Sequence, residues 1–277
     1  MSAEKLQRLR DELRGYGSCV VAYSGGVDSV FLSAVAREVL GDRMIAVIAD
    51  SLSLPRRELD EALEVARQFG IPVETIRTAE FDNPVYLSNP TNRCYFCKHE
   101  LFHQLAPFAK SRGFAVVVYG ENATDVGDYR PGAQAADQFK VLAPLKKVGL
   151  TKREIRELSA AMGLPTSDKP EAACLSSRVP YGETVTPEKL NLIETAEAYL
   201  KDLGCYDVRV RLHELKGGFL ARVELGNEEL VAFMARPDRL QIHEKLRGLG
   251  LRFVTVDLGG YRRGSLNDVI PLLVGQR

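Results

Sequence analysis

Residues Val20 to Leu32 read VVAYSGGVDSVFL: a greasy run, a turn with two glycines and an aspartate, then a second apolar stretch of helical character. A buried strand that enters a glycine turn and launches a helix presents several backbone N–H groups at the positive end of the helix dipole. Such a nest of amides suits a phosphate. Gly25 and Gly26 allow close backbone approach, Ser24 and Ser29 offer hydroxyl donors, and Asp28 is placed to orient Mg²⁺ or the turn itself. A Walker A loop would need a lysine after its final glycine, and none is present. On these residues alone, a plain strand-to-helix turn without a ligand stays open.

Outward from this turn, strand and helix patterns alternate. SCVVAYS precedes the helical SVFLSAVAREVLG, RMIAVIAD precedes PRRELDEALEVARQFG, and PVETIRT is followed by a helix near His99 to Ser111 and the strand FAVVVYGEN. That rhythm predicts an α/β fold, a parallel sheet with helices on both faces. TKREIRELSAAMGLP reads as a further helix, with Thr151 as N-cap and Gly163 and Pro165 as its stop. The first domain is therefore expected over residues 1–167. Beyond the loop SDKPEAACLSSRVPYGETV the pattern changes to the helix PEKLNLIETAEAYLKDLG, the strands DVRVRLHE and GFLARVEL, a helical region and the strand LRFVTVDLGG. This predicts a smaller α+β domain over residues 168–277.

The chain has 277 residues with 37 basic and 37 acidic side chains, so a local patch would have to serve any long nucleic acid, and such a partner is not expected. No apolar run reaches the roughly 18 residues that span a bilayer, and the N-terminal MSAEKLQRLRDELRGYG reads as a charged amphipathic helix rather than a signal peptide. The expected location is cytoplasmic, away from membranes. Five cysteines in such a chain argue for thiol, metal or catalytic chemistry over a disulfide framework.

Cys94 and Cys97 form a Cys-x2-Cys pair in RCYFCK, and Cys174 lies in EAACLSSR, a loop expected to face the same cleft; Cys19 and Cys205 read as structural. Three converging thiolates suit a metal. One possibility is zinc, with His99 or His103 as a further ligand, and another is a redox dithiol. A third is a 4Fe-4S cluster on three cysteines, which leaves one iron open to carry the sulfide that a sulfur transferase must deliver.

Ser24-Gly25-Gly26-Val27-Asp28-Ser29 resembles the SGGxDS motif of the PP-loop ATP pyrophosphatases, in the same strand-loop-helix setting. The resemblance implies ATP binding by these six residues and cleavage between the α- and β-phosphates, with Asp28 as a catalytic residue. YGENATDVGDYRPG resembles the second acidic motif of that superfamily, which implies that Asp125 or Asp128 joins Asp28 near Mg²⁺ and pyrophosphate; turn capping is the alternative. In the second half, CLSSRVPYG, VRVRLH and VTVDLGGYRRGSLND resemble the LarE family of sulfur transferases in nickel-pincer nucleotide cofactor biosynthesis.

That resemblance implies adenylylation of the carboxylates of pyridinium-3,5-biscarboxylic acid mononucleotide and their conversion to thiocarboxylates. Some members sacrifice the cysteine matching Cys174. Others carry a 4Fe-4S cluster, and Cys94 with Cys97 puts this chain among them, implying a cluster-bound hydrosulfide renewed by an external sulfur donor. Ser177, Arg178, Glu197, Arg209 and Arg211 match substrate-site positions, and guanidinium forks suit a phosphate. Arg209 and Arg211 alternate on a strand and so share a face; a solvated arginine face or a surface glutamate would look the same in sequence. Members resembling this chain form hexamers, so a homo-oligomer is expected. The other functional classes are a tRNA-thiolating PP-loop enzyme, an ammonia-dependent synthetase with a structural metal site, and a non-catalytic nucleotide sensor or iron-sulfur carrier.

Overall fold

The computed structural model describes residues 2–125, 131–170, 173–262 and 264–266. Chain order runs α1 (Ser2–Tyr16), β1 (Cys19–Tyr23), α2 (Val27–Leu40), β2 (Met44–Asp50), α3 (Arg56–Gln68), β3 (Val73–Arg77), α4 (Pro84–Leu87) and α5 (Arg93–Ser111). It continues with β4 (Val116–Tyr119), α6 (Pro131–Gln138), α7 (Pro144–Lys147), α8 (Lys152–Ala161), α9 (Pro187–Asp202), β5 (Val208–Leu215), β6 (Gly218–Leu225), α10 (Asn227–Met234), α11 (Arg239–Gly248) and β7 (Leu251–Val256). Two units result, Met1–Asp82 with Asn92–Ala172 and Asn83–Thr91 with Ala173–Arg277.

The first unit is built on a parallel sheet in the order β3-β2-β1-β4. Its central strand explains the greasy run: every residue of β1 is buried. Cys19, Val21 and Tyr23 join a core with Leu9 and Leu13 of α1, Phe31 of α2, Ala62 of α3 and Ile155 of α8. Val20 and Ala22 join a second core with Phe102 and Leu105 of α5 and Ala135 and Ala136 of α6. Alternate side chains thus meet helices on opposite faces, so neither strand face tolerates polar residues. The α/β architecture read from the sequence is the one observed.

Local boundaries differ. The helix expected from His99 begins at Arg93, so Cys94 and Cys97 lie within its first turns. Cysteines and aromatics are modest helix formers, but the burial of Phe102 and Leu105 against the sheet fixes the helix further along, and no glycine or proline interrupts it before Pro107. Helices α4 and α7, of four residues each, are too short to leave a periodic signal.

The second unit holds a three-stranded sheet in the order β5-β6-β7, with β5 and β6 antiparallel and β6 and β7 parallel. The long helix α9 packs on β5, burying Leu190, Ile193, Ala196 and Leu200. Its start is set by Thr186, whose hydroxyl accepts from the Lys189 N–H at 3.3 Å, with Pro187 in the first helical position. Among the described residues no helix is long and apolar enough to cross a membrane.

Candidate active site

In the first unit the chain leaves β1 toward β2 and β3 and returns on the other side as β4, so the sheet reverses its order beside the C-terminal end of β1. Open α/β sheets bind ligands at such a switch point. Ser24 to Ser29 occupy it. Gly25 has φ +71°, and a Cβ there would stand 2.4 Å from the Ala62 Cβ, so the turn needs glycine for conformation and for space. Gly26 is the N-cap of α2 and supplies no side-chain cap to its first turn. Ser29 ties the turn together: its Oγ accepts from the Ser24 N–H at 3.1 Å, pairs with Ser24 Oγ at 3.1 Å and donates to the Gly26 carbonyl at 3.0 Å. Val27 is buried and anchors the helix start in the core.

Asp28 sits on the first turn of α2, and Asn122, just past β4, draws it toward Asp125. The Asn122 Nδ2 donates to Asp28 Oδ1 at 3.4 Å, and the Asn122 N–H donates to Asp125 Oδ2 at 3.2 Å. Gly120 lets these segments meet, because a Cβ there would lie 3.1 Å from both the Asp28 Cβ and the Ser29 nitrogen. The structure therefore brings Asp28 and Asp125 onto one buried asparagine; Asp128 lies outside the described residues. An ammonium group already stands on the Asp28 carboxylate, since Lys152 Nζ is 2.6 Å from its Oδ2. A cation is thus at home there, and hard carboxylate oxygens are the donors Mg²⁺ takes.

Lys152 escaped the sequence reading. It occupies the first position of α8, its N–H held by Thr124 Oγ1 at 2.9 Å, beside the capping box of Thr151 and Glu154. A cation at a helix N-terminus opposes the dipole, and that misfit was the available signal. Asn122 carried no such mark, being one polar residue within a motif read for its acids.

Cys94 is exposed and Cys97 half-buried, three positions apart on α5 and so on neighbouring turns of one side. Cys174 is half-buried in the second unit, where it precedes the 3₁₀ turn Leu175–Arg178. Among the described residues no three His, Cys, Asp or Glu side chains are grouped to hold a metal ion. His99 and His103 stack with ring centres 6.4 Å apart and pack edge-on against Phe139. Burial pushes the Cys19 thiol up to about 12 and raises that of Cys205, as befits inert core thiols.

Arg178, Arg209 and Arg211 of the second unit are buried rather than solvated. Arg178, 3 % exposed, places Nε and Nη2 on the Glu197 carboxylate at 2.9 and 3.1 Å. Burial alone would raise the Glu197 carboxyl, but Arg178, the Val210 N–H at 2.9 Å and Arg209 hold it below the usual carboxylate range. Arg211 puts Nε and Nη2 on Glu224 at 3.0 and 2.8 Å and Nη1 on the Ser177 carbonyl at 2.9 Å. Arg209 lies over the Tyr261 ring, 4.8 Å from its centre. Ser177 Oγ donates to the Cys174 carbonyl at 2.7 Å. Ser177, Arg178, Glu197 and Arg211 thus form one hydrogen-bonded network next to Cys174. Glu224, fully buried and central to it, had no sequence signal beyond its place in an alternating strand.

Comparison with known proteins agrees with this geometry. Residues 3–91 match the NAD synthase family, which covers the glycine loop. An uncharacterized protein of Synechocystis sp. is 43% identical over 98% of this chain and 99% of its own length. The pyridinium-3,5-bisthiocarboxylic acid mononucleotide synthase of Lactiplantibacillus plantarum is 33% identical over 97% of this chain and 95% of its own length. A glutamine-hydrolyzing GMP synthase component of Archaeoglobus fulgidus is 24% identical over 73% of this chain and 70% of its own. A PP-loop at the sheet's switch point, joined to nearly full-length similarity to a thiocarboxylate synthase, establishes that this chain belongs to the LarE-like family of ATP-using sulfur transferases.

Proposed function

We propose that the protein uses ATP to activate the carboxylates of pyridinium-3,5-biscarboxylic acid mononucleotide and converts them to thiocarboxylates, releasing AMP and pyrophosphate, in nickel-pincer nucleotide cofactor biosynthesis. The observation that carries this reading is the Ser24–Ser29 turn facing the Asp28–Asn122–Asp125 group, since it pairs a phosphate nest with oxygen ligands for Mg²⁺. A carboxylate is a poor electrophile. Its oxygen attacks the α-phosphorus of ATP, and the turn amides and Ser24 and Ser29 hydroxyls hold the departing pyrophosphate, with Asp28 and Asp125 as the residues that would hold Mg²⁺. Sulfur then attacks the acyl carbon of the mixed anhydride and expels AMP.

Residues 1–167 carry the ATP chemistry in this reading, and residues 168–277 carry the substrate and the contacts of a homo-oligomer, a hexamer. Arg209 and Arg211, with Ser177, receive the nucleotide substrate, and Arg178 and Glu197, which pair with each other, shape the site beside them. Cys94, Cys97 and Cys174 would hold a 4Fe-4S cluster; their soft thiol donors fit it, and the neighbouring placement of Cys94 and Cys97 on α5 supports a shared ligand role. When bound, the cluster supplies sulfide to the reaction, renewed by an external donor in the cytoplasm.

The test is substrate-dependent release of pyrophosphate and AMP from Mg·ATP. Release that requires the pyridinium mononucleotide, and is lost in Ser24→Ala/Ser29→Ala, supports the reading. Release driven by an unmodified tRNA or by ammonia and an acyl acceptor instead would replace it.

A further inference from the structure

The thiol of Cys174 is carried by a segment whose backbone is gripped from below. Three donors converge on the Cys174 carbonyl: the Ser177 N–H at 2.9 Å, Ser177 Oγ at 2.7 Å and Arg178 Nη1 at 3.0 Å. The same Nη1 reaches the Ala173 carbonyl at 2.6 Å and Ser177 Oγ at 3.1 Å. The remaining edge of that guanidinium is taken by Glu197, which also accepts from the Val210 N–H and so fastens α9 to β5. Arg211 holds the Ser177 carbonyl from the strand side and is itself seated on Glu224.

A ligand phosphate could reach Arg178 only by evicting a carboxylate that is 3 % exposed, from a guanidinium that is equally buried. A fork-to-fork arginine–carboxylate pair fixes orientation as well as charge. We propose that Arg178, locked by Glu197, is a positioning residue that sets where the Cys174 thiol is presented, and is not itself a ligand of the substrate's phosphate. This rests on the reading that Cys174 handles the sulfur. The pair acts on the loop through two main-chain carbonyls, so it constrains the thiol whether or not substrate is bound.

The experiment is the alkylation rate of Cys174 by iodoacetamide, read by peptide mass spectrometry on the full-length chain treated with chelator and free of substrate. It compares wild type, Glu197→Gln and Ser177→Ala. Freeing the loop is expected to raise the rate at least about fivefold in Glu197→Gln, through local opening, and by less in Ser177→Ala. In sulfur transfer, Glu197→Gln is expected to lower kcat about tenfold or more while KM for the nucleotide substrate stays within about twofold, as for a misplaced reacting group. An unchanged alkylation rate overturns the proposal, whatever happens to KM. If Glu197→Gln does not fold, Arg178→Lys decides on the same readout, because it keeps a cation beside Glu197 but loses the fork that holds the Ala173 and Cys174 carbonyls. Sulfur transfer that survives Cys174→Ala would overturn the underlying reading of the thiol, an outcome separate from the alkylation result.

Discussion

Lys152 Nζ stands 2.6 Å from Asp28 Oδ2, so the aspartate of the glycine loop is bound to a cation carried by a helix more than a hundred residues away in sequence. The pair is largely but not fully buried, which leaves the ammonium room to turn toward an anion once Mg²⁺ takes the carboxylate. Lys152→Met should therefore lower pyrophosphate release by about 100-fold, the scale for removing one oriented charge from a transition state. Rapid-quench measurement of pyrophosphate at saturating Mg²⁺ checks this. Release at the wild-type rate would make Lys152 only a structural counterion.

Gly25 tests the loop itself. Alanine there meets both a left-handed backbone and the Ala62 Cβ, so Gly25→Ala should cost on the order of 1–3 kcal/mol in stability and abolish ATP binding. Thermal unfolding with and without Mg·ATP measures both. A variant that is still stabilised by ATP would show that the turn does not need its observed shape.

Glu154 sets a pH dependence. Lys5, at 2.8 Å, and the Thr151 N–H hold its carboxyl down to about 2 from 4.5. A depressed carboxyl stabilises the fold above its unfolded value and loses that contribution as pH falls through the folded value. The stability gap between wild type and Glu154→Gln should thus be complete near neutral pH and close between about 4.5 and about 2. Urea midpoints across this range read the gap; one that persists unchanged at the acid end contradicts the assignment.

The cysteines make a compositional prediction. Anaerobic protein should carry about four irons and four sulfides per chain, and Cys94→Ala, Cys97→Ala and Cys174→Ala should each lose them. Zinc in place of iron, or a Cys174→Ala variant that alone is inactive while the protein holds no iron, would replace the cluster by a structural metal or a sacrificial thiol.

The parallel sheet was legible because β1, β2 and the flanking helices announce themselves by apolar runs and periodicity. The glycine loop was legible because few other turns need two adjacent glycines before a helix. What the sequence hid was pairing at a distance. Nothing local marks Lys152 as the partner of Asp28, or Glu224 as that of Arg211, since both contacts depend on how the strands are ordered. Arg209 and Arg211 were visible as a shared face, but a strand pattern does not say whether that face is wet or buried; Glu224 and Tyr261, which settle it, lie on other segments. The helix reaching back to Arg93 was hidden because burial further along the helix, rather than the propensity of its first residues, supports it.

Mass spectrometry of the pyridinium mononucleotide after incubation with the anaerobic protein, Mg·ATP and sulfide reads sulfur insertion itself. The expected product carries sulfur in place of one oxygen of a carboxylate, with one AMP and one pyrophosphate formed per sulfur inserted. Consumption of ATP that leaves every carboxylate oxygen in place would contradict the proposed sulfur transfer.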